Sequence, residues 1–357
     1  MRSWNRAKLL LSYLRRTTRP GGFPVEYIVE TTAKCNLYCP MCPRETHKQP
    51  KEDMQDEIFS RLVHSAQHSA EHMMLIGLGE PFLDPKIFDR IEYCKTHNVS
   101  TLLSTNGTLL DEANASRLLD SSLEHITLSF DGSTKESFEY YRKGANFERV
   151  RDNFVRFARM KHDRKSRLQI VVQMVRMERN HDEADEFIRF WSAIPGVDQV
   201  RIKADETNLM QPEAGHAPED WKHPCHYLWR GPMYVKHSGD VYPCCQSYML
   251  DMKPVGNIGS QSLQEIWNGN TMVEMRKAHI GGRAGEIDAC SRCFAAIPHP
   301  ALVAGSLLLH GRTVRKLLPV VERLIYLSKL PSRLLNPVKP KQADKSEELI
   351  QIETVRR

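Results

Sequence analysis

Short apolar, β-branched runs alternate with amphipathic stretches through the first two hundred or so residues. Glu26–Thr32, His72–Leu78, Ser100–Thr105, His125–Phe130, Leu168–Val175 and Gln199–Ala204 read as strands. Between them, Ile58–Ser69, Pro85–His97, Asp111–Ser121, Thr134–Lys161 and Glu183–Ala193 keep apolar residues at helical spacing. Strand–helix alternation with short loops predicts parallel βαβ units. Six such units predict an α/β fold, a partial (β/α)6 barrel, whose functional groups gather where the strands end and the βα loops begin. The rhythm is lost after about residue 215, where cysteines become frequent. Four regions are expected: a basic amphipathic segment at 1–22, the barrel at 23–215, a small cysteine-rich domain at 216–297, and a basic helical tail at 298–357 whose last part is too charged to build a core.

With 41% apolar residues, the 357-residue chain can build a sizeable core, and no apolar run is long enough to span a bilayer. The net charge of +6 is unevenly placed. Residues 1–22 hold Arg2, Arg6, Lys8, Arg15, Arg16 and Arg19 and no acid, and the region beyond about residue 305 is again basic. Both ends read as helices with apolar and cationic faces, a pattern that fits either packing on the barrel or contact with an anionic membrane surface. Basic residues are not interleaved with aromatic ones in the manner of a nucleic-acid site, so none is expected. Nine cysteines without a secretory signal imply a reducing, cytoplasmic setting and thiolate metal sites rather than disulfides.

Three of those cysteines form the run Cys35-Asn-Leu-Tyr-Cys39-Pro-Met-Cys42, directly after the first predicted strand. A [4Fe–4S] cubane takes one thiolate per iron, so three from one loop leave one iron open. A zinc ribbon would pair two C-x2-C knuckles, and no C-x2-C partner lies near. A disulfide framework belongs to small secreted domains. The C-x3-C-x2-C run resembles the signature of the radical S-adenosylmethionine (radical SAM) superfamily. The resemblance implies that the open iron chelates the methionine amino and carboxylate groups of S-adenosylmethionine, and that an electron from a low-potential flavodoxin- or ferredoxin-type donor releases a 5′-deoxyadenosyl radical.

The strand ends supply candidates for holding that cosubstrate. Gly77-Leu78-Gly79-Glu80-Pro81 is similar to the family's Gly-Gly-Glu element, with Leu78 in place of the first glycine. Gly79 would let the backbone approach a ligand, and Glu80 would accept from the methionine ammonium. Ser104-Thr105-Asn106-Gly107 offers Ser104 and Asn106 to a ribose, or a plain Asx turn. Ser129-Phe130-Asp131-Gly132 resembles the family's Ser-x-Asp-Gly element, with Ser129 as a contact and Asp131 as a helix cap. Gln173, Arg176, Lys203 and Asp205 end the fifth and sixth strands, and Arg142 is a further polar candidate. Each of these also fits a surface charge or an internal ion pair.

Four later cysteines complete a second site. Cys225, Cys244, Cys290 and Cys293 satisfy a four-thiolate centre, and spacing alone admits zinc or an iron–sulfur cluster. Cys225-x13-Gly239-x4-Cys244 followed by Cys290-x2-Cys293 resembles the SPASM/twitch extension of radical SAM enzymes. So do Val255-Gly256-Asn257-Ile258, Ser262-Leu263, Ile266-Trp267-Asn268 and Met275-Arg276. No cysteine follows Cys293, which favours the shortened form with a single auxiliary [4Fe–4S] cluster. Cys245 could replace Cys244, and Cys94 reads as a buried, inert thiol.

A fully ligated auxiliary cluster suits an electron acceptor. The resemblance then implies a net oxidation, such as alcohol to ketone on a sugar, aminocyclitol or glycan precursor, with Asp205 or Lys203 as the deprotonating group. Modification of a ribosomal peptide, redox-neutral epimerisation with a thiol such as Cys245 returning the hydrogen, and a non-enzymatic iron–sulfur scaffold or sensor are the alternatives. About two dozen residues precede the first predicted strand, too few for a winged-helix peptide-recognition domain, which tilts the expectation toward a small molecule or glycan.

Overall fold

Helix α1 covers Arg2–Leu14, strand β1 Glu26–Val29, α2 Asp56–Ala66, β2 His72–Leu75, α3 Ile87–Thr96 and β3 Ser100–Thr105. Then come α4 Glu112–Asp120, β4 His125–Ser129, α5 Lys135–Tyr141, α6 Phe147–Asp163, β5 Gln169–Arg176, α7 Ala184–Ser192 and β6 Gln199–Ala204. The cysteine-rich part holds α8 Tyr227–Arg230, β7 Met233–Val235, β8 Asp240–Tyr242, β9 Gly256–Asn257, α9 Leu263–Trp267, α10 Asn270–Ile280, α11 Asp288–Ser291 and α12 Pro300–Leu308. This computed structural model describes residues 1–45, 50–204, 223–247, 250, 252–293 and 300–308. The six strands β1–β6 alternate with helices as the sequence pattern requires, the arrangement of a partial β/α barrel. Asp205 and the chain beyond 308 lie outside the described residues.

The chain divides into two units, and β2 straddles the division. One unit takes residues 30–53 and 74–205. Its strands run in the order β6-β5-β4-β3-β2. The β3–β4, β4–β5 and β5–β6 pairs are parallel, in registers that set Thr105 beside Leu128, Ser129 beside Gln173 and Arg176 beside Ala204. Ile126, Leu128, Ile170 and Val172 are buried along the sheet. Phe130 leaves β4 into an aromatic cluster with Phe138, Phe147, Phe154 and Trp191, ring centroids 4.4 to 5.9 Å away. Each such pair adds about 0.5–1.5 kcal/mol beyond the area it buries.

Two local expectations change. The single helix expected over Thr134–Lys161 is two helices, because Gly144 adopts φ +100° and Asn146 caps α6 through a bond from the Arg149 N–H. A positive φ breaks a helix and falls naturally to glycine. The first two strands are also shorter than expected, ending at Val29 and Leu75. The residues released turn into loop, where the buried Glu30 carboxylate accepts the Leu78 N–H at 2.9 Å.

The other unit takes residues 1–29 and 54–73 and the described residues from 223 onward. Here β1 runs parallel to β7, and β7–β8 and β8–β9 are antiparallel. Glu26 of β1 sits in a bidentate bond with Arg230, at 2.6 and 2.7 Å, and within 3.2 Å of His72. Burial alone would raise its carboxyl, but Arg230 and His72 hold it well below the usual range. Arg276 of α10 lies fully buried on the Trp267 ring and donates to the Leu228, Trp267 and Thr18 carbonyls, which ties α8, α9 and the segment after α1 together. Among the described residues no helix is long and apolar enough to cross a membrane.

Candidate active site and auxiliary metal centre

Cys35, Cys39 and Cys42 occupy the loop after β1, and contacts from three other loops hold it. From the β2 side, the Glu80 N–H donates to the Lys34 carbonyl at 2.7 Å. From the β3 side, Asn106 Nδ2 donates to Asn36 Oδ1 at 3.1 Å, and Asn36 Nδ2 donates to Thr108 Oγ1 at 2.8 Å. From the α5–α6 turn, the Lys143 carbonyl accepts the Tyr38 N–H at 2.9 Å. Within the loop itself, Arg44 donates to the Leu37 carbonyl and the Cys42 N–H to the Cys39 carbonyl.

Gly79 acts differently from the expectation. A Cβ there would lie 2.1 Å from the Thr32 carbonyl oxygen and 2.8 Å from that of Lys34. The close approach that demands glycine is therefore to the backbone leading into the cysteine loop, not to open space for a ligand. Leu78 is buried, so the departure from Gly-Gly is absorbed by packing.

Glu80 is buried, and its carboxylate accepts from Thr105 Oγ1 at 2.6 Å and from the Asn106 N–H at 2.8 Å. Burial pushes the carboxyl up, against the pull of these donors. Two oxygens with about four acceptor sites retain capacity for an ammonium. Asn106 forms the Asx turn, its Oδ1 accepting from the Thr108 N–H and hydroxyl. Ser104 and Ser129 come together from β3 and β4, their hydroxyls 3.4 Å apart. Gln173 lies beside Ser129, whereas Arg176 is exposed. Lys203 lies near the end of β6, half-buried.

Asp131 is not the helix cap that was expected. Thr134 caps α5 by accepting the Ser137 N–H. Asp131 is fully buried, accepts the Val175 N–H at 2.7 Å, and holds Arg142 in a close ion pair through Nε and Nη2. Burial works against the Arg142 charge, but Asp131 and then the Cys39 thiol favour it and raise its pKa overall. A guanidinium is thereby held beside the three-cysteine loop. The sequence signal for it was thin, an Asp and an Arg eleven residues apart on either side of a short helix. Asp131→Ala strands that charge, and a buried pair broken on one side costs about 3–5 kcal/mol. Urea unfolding of the apo-protein should show a loss of that size, and an unchanged midpoint would mean that the pair contributes nothing.

All three loop thiols are raised by burial, Cys39 to about 11, with Arg142 pulling Cys39 down and the neighbouring thiols pushing it up. Three clustered thiols, with the Arg142 and Arg44 guanidiniums beside them, are the donor set of a metal cluster that neutralises them.

The second thiol site is confined to the other unit. Cys225 precedes α8, Cys244 follows the β7–β8 hairpin, Cys290 lies in α11, and Cys293 follows it. All four line one cavity, with Ser247, Leu250 and His279 among its walls. The Cys225 N–H donates to His279 Nδ1, and Ser247 Oγ lies 3.1 Å from Cys244 Sγ. Burial raises each of the Cys225, Cys244 and Cys290 thiols, and neighbouring thiols add to the rise at Cys225 and Cys290. Among the described residues no three His, Cys, Asp or Glu side chains stand close enough to hold a single metal ion. Thiols spaced around a cavity suit a multi-iron body, in which each binds a different iron. Cys244 rather than Cys245 faces this cavity, while Cys245 is bonded to the Tyr227 hydroxyl. Cys94 is buried in α3 with its thiol pushed up to about 12.

Three thiols on one loop at a β/α strand end, and four around a separate cavity, fit an iron–sulfur protein with two thiol sites. The sequence model of the Radical SAM superfamily matches residues 29–190, and that of an iron–sulfur cluster-binding domain, SPASM, matches residues 225–294. The chain belongs to the radical SAM superfamily and carries a C-terminal SPASM domain. It uses S-adenosylmethionine, a [4Fe–4S] cluster and an auxiliary iron–sulfur centre, which the two thiol sets fit.

Among curated relatives, a tungsten-containing aldehyde ferredoxin oxidoreductase cofactor-modifying protein of Pyrococcus furiosus is 30% identical over 105 residues, 29% of this chain and 30% of that protein. The mycofactocin maturase MftC of Mycobacterium ulcerans is 27% identical over 124 residues, 35% of this chain and 34% of the relative. The matched stretch thus spans about a third of the length of these relatives. Two solved structures share the fold. SuiB of Streptococcus suis, bound to precursor peptide SuiA, has a TM-score of 0.59 at 13% identity, over 75% of this chain and 70% of that one. BtrN in complex with AdoMet and 2-DOIA has a TM-score of 0.53 at 18% identity, over 76% of this chain and 94% of that one.

Proposed function

We propose that this enzyme oxidises a hydroxyl-bearing carbon of a sugar, aminocyclitol or glycan precursor. The observation that carries the reading is the auxiliary cavity, where Cys225, Cys244, Cys290 and Cys293 offer four protein thiolates and leave no coordination position for substrate. Such a single, closed cluster fits an electron acceptor better than a substrate-binding metal. When bound, the loop cluster supplies the electron that cleaves S-adenosylmethionine, and the auxiliary cluster supplies a place for the electron that leaves the substrate.

The chain's own residues do the rest. Cys35, Cys39 and Cys42 hold the first cluster. Glu80 accepts from the methionine ammonium, Arg142 pairs with the carboxylate, and Ser104, Ser129 and Asn106 orient the nucleoside. The substrate carbon gives one hydrogen atom to the 5′-deoxyadenosyl group, which becomes 5′-deoxyadenosine. The hydroxyl proton passes to Lys203 or Asp205 and one electron departs, so the carbinol becomes a carbonyl. A low-potential flavodoxin- or ferredoxin-type protein provides the incoming electron.

BtrN, seen with AdoMet and 2-DOIA and matched along nearly all of its length, supports a small-molecule substrate. The SuiB complex with its precursor peptide, at the higher TM-score, favours a second reading in which a ribosomal peptide is modified. Anaerobic turnover with carbon-deuterated sugars and aminocyclitols, against deuterated peptides, separates them. The expected result is deuterium in 5′-deoxyadenosine and a product two hydrogens lighter than the sugar or cyclitol. Deuterium transfer from peptides alone would select the second reading, and a product isomeric with its substrate would point to epimerisation.

A further inference from the structure

Helix α1 buries polar as well as apolar residues and leaves apolar ones outside. An amphipathic helix on a protein ordinarily buries its apolar stripe. Here the buried positions include Asn5, Arg6 and Ser12 alongside Leu9 and Tyr13. Each buried polar group is satisfied. Asn5 exchanges two bonds of 2.8 Å with the Phe23 backbone, Arg6 pairs with Glu71 at 2.6 Å, and Ser12 Oγ accepts the Gly21 N–H at 3.1 Å. These contacts fix the helix's rotation and leave Trp4, Leu11 and Leu14 outward, 68%, 47% and 56% exposed. Lys8, Arg15 and Arg16 are exposed among them, with the Lys8 ammonium 5.8 Å from the Trp4 ring. Helix α12 packs against α1, contains no charged residue, and ends in Leu308, 66% exposed.

We infer that the outward faces of α1 and α12 form a docking surface for an anionic lipid bilayer. A protein partner would be met by a patch with a polar rim of either sign. This surface instead interleaves an interfacial tryptophan and leucines with cations, and residues 1–22 contain no acid. That is the composition of a helix lying in the plane of a negatively charged headgroup layer. An uncharged helix beside it extends the apolar footprint. The surface is independent of the reaction proposed above, and it would bring lipid-linked substrates within the enzyme's reach.

Vesicle co-sedimentation of the full reconstituted chain tests it, with pure phosphatidylcholine against phosphatidylcholine containing phosphatidylglycerol. The wild type is expected on the anionic vesicles, with salt weakening the binding. Trp4→Glu/Leu11→Glu/Leu14→Glu, and separately Lys8→Glu/Arg15→Glu/Arg16→Glu, should each cut binding about tenfold or more. All six residues are exposed, so iron content should stay at the wild-type value in both variants. A wild type that ignores both vesicle types, or that self-associates through Trp4 without binding lipid, would overturn the inference. Binding untouched by either triple substitution would also overturn it, since the attachment would then lie elsewhere in the chain.

Discussion

Cys35→Ala/Cys39→Ala/Cys42→Ala should lower the iron content of anaerobically reconstituted protein from about eight atoms to about four, matched by sulfide. Production of 5′-deoxyadenosine should fall to background. The effect is large because the substitution removes all three thiols of the loop at once. The three thiols share one eight-residue loop, and the contacts from Glu80, Asn106, Thr108 and Lys143 hold that loop rather than provide a replacement ligand. The remaining four irons should persist because the other four thiols belong to a separate unit of the chain. Retention of all the iron in the triple variant would refute the assignment of the loop as the catalytic cluster site. Loss of all of it would show that the second centre is not built independently.

The second large effect separates radical generation from substrate oxidation. With Cys290→Ala/Cys293→Ala, the loop cluster should remain, S-adenosylmethionine should still be cleaved, and deuterium should still reach 5′-deoxyadenosine from a labelled substrate. The oxidised product should be missing, because the electron released by the substrate has lost its acceptor. Iron analysis, 5′-deoxyadenosine and product are read from the same incubation. Carbonyl product at close to the wild-type rate would sink the electron-acceptor role and leave redox-neutral chemistry in its place. Cys293 packs with Leu250 and Ala289, so a melting curve should accompany the assay to show that the domain still folds.

Much of the protein was legible in its sequence, for reasons that differ by feature. Strand and helix alternation is written in local periodicity, and the parallel β/α architecture follows from it. The seven cysteines proposed as metal ligands could be nominated because three fall in one eight-residue run and the other four in a recognisable spacing pattern. Ser104 and Ser129 could be nominated because each ends a strand, where βα loops converge.

Other features depend on contacts between residues far apart in the chain, and local pattern is blind to them. Gly79 read as room for a ligand, yet its lack of a side chain serves the Thr32 and Lys34 carbonyls, more than forty residues earlier. Asp131 read as a cap, yet it is the buried counter-ion that sets Arg142 beside the cysteines. The Gly-x4-Cys spacing favoured Cys244 over Cys245, and only the tertiary structure shows which of the two adjacent side chains lines the cavity, Cys244. The first helix was recognisable as amphipathic, but its rotation was decided by Glu71 and Phe23, which reward an inward Arg6 and Asn5 and turn Trp4, Leu11 and Leu14 to the outside. The sequence by itself determined the elements, and it nominated the residues proposed to carry the chemistry, because both readings rest on local pattern. Tertiary structure decided what each of those residues faces, because orientation is set by partners that sequence distance conceals.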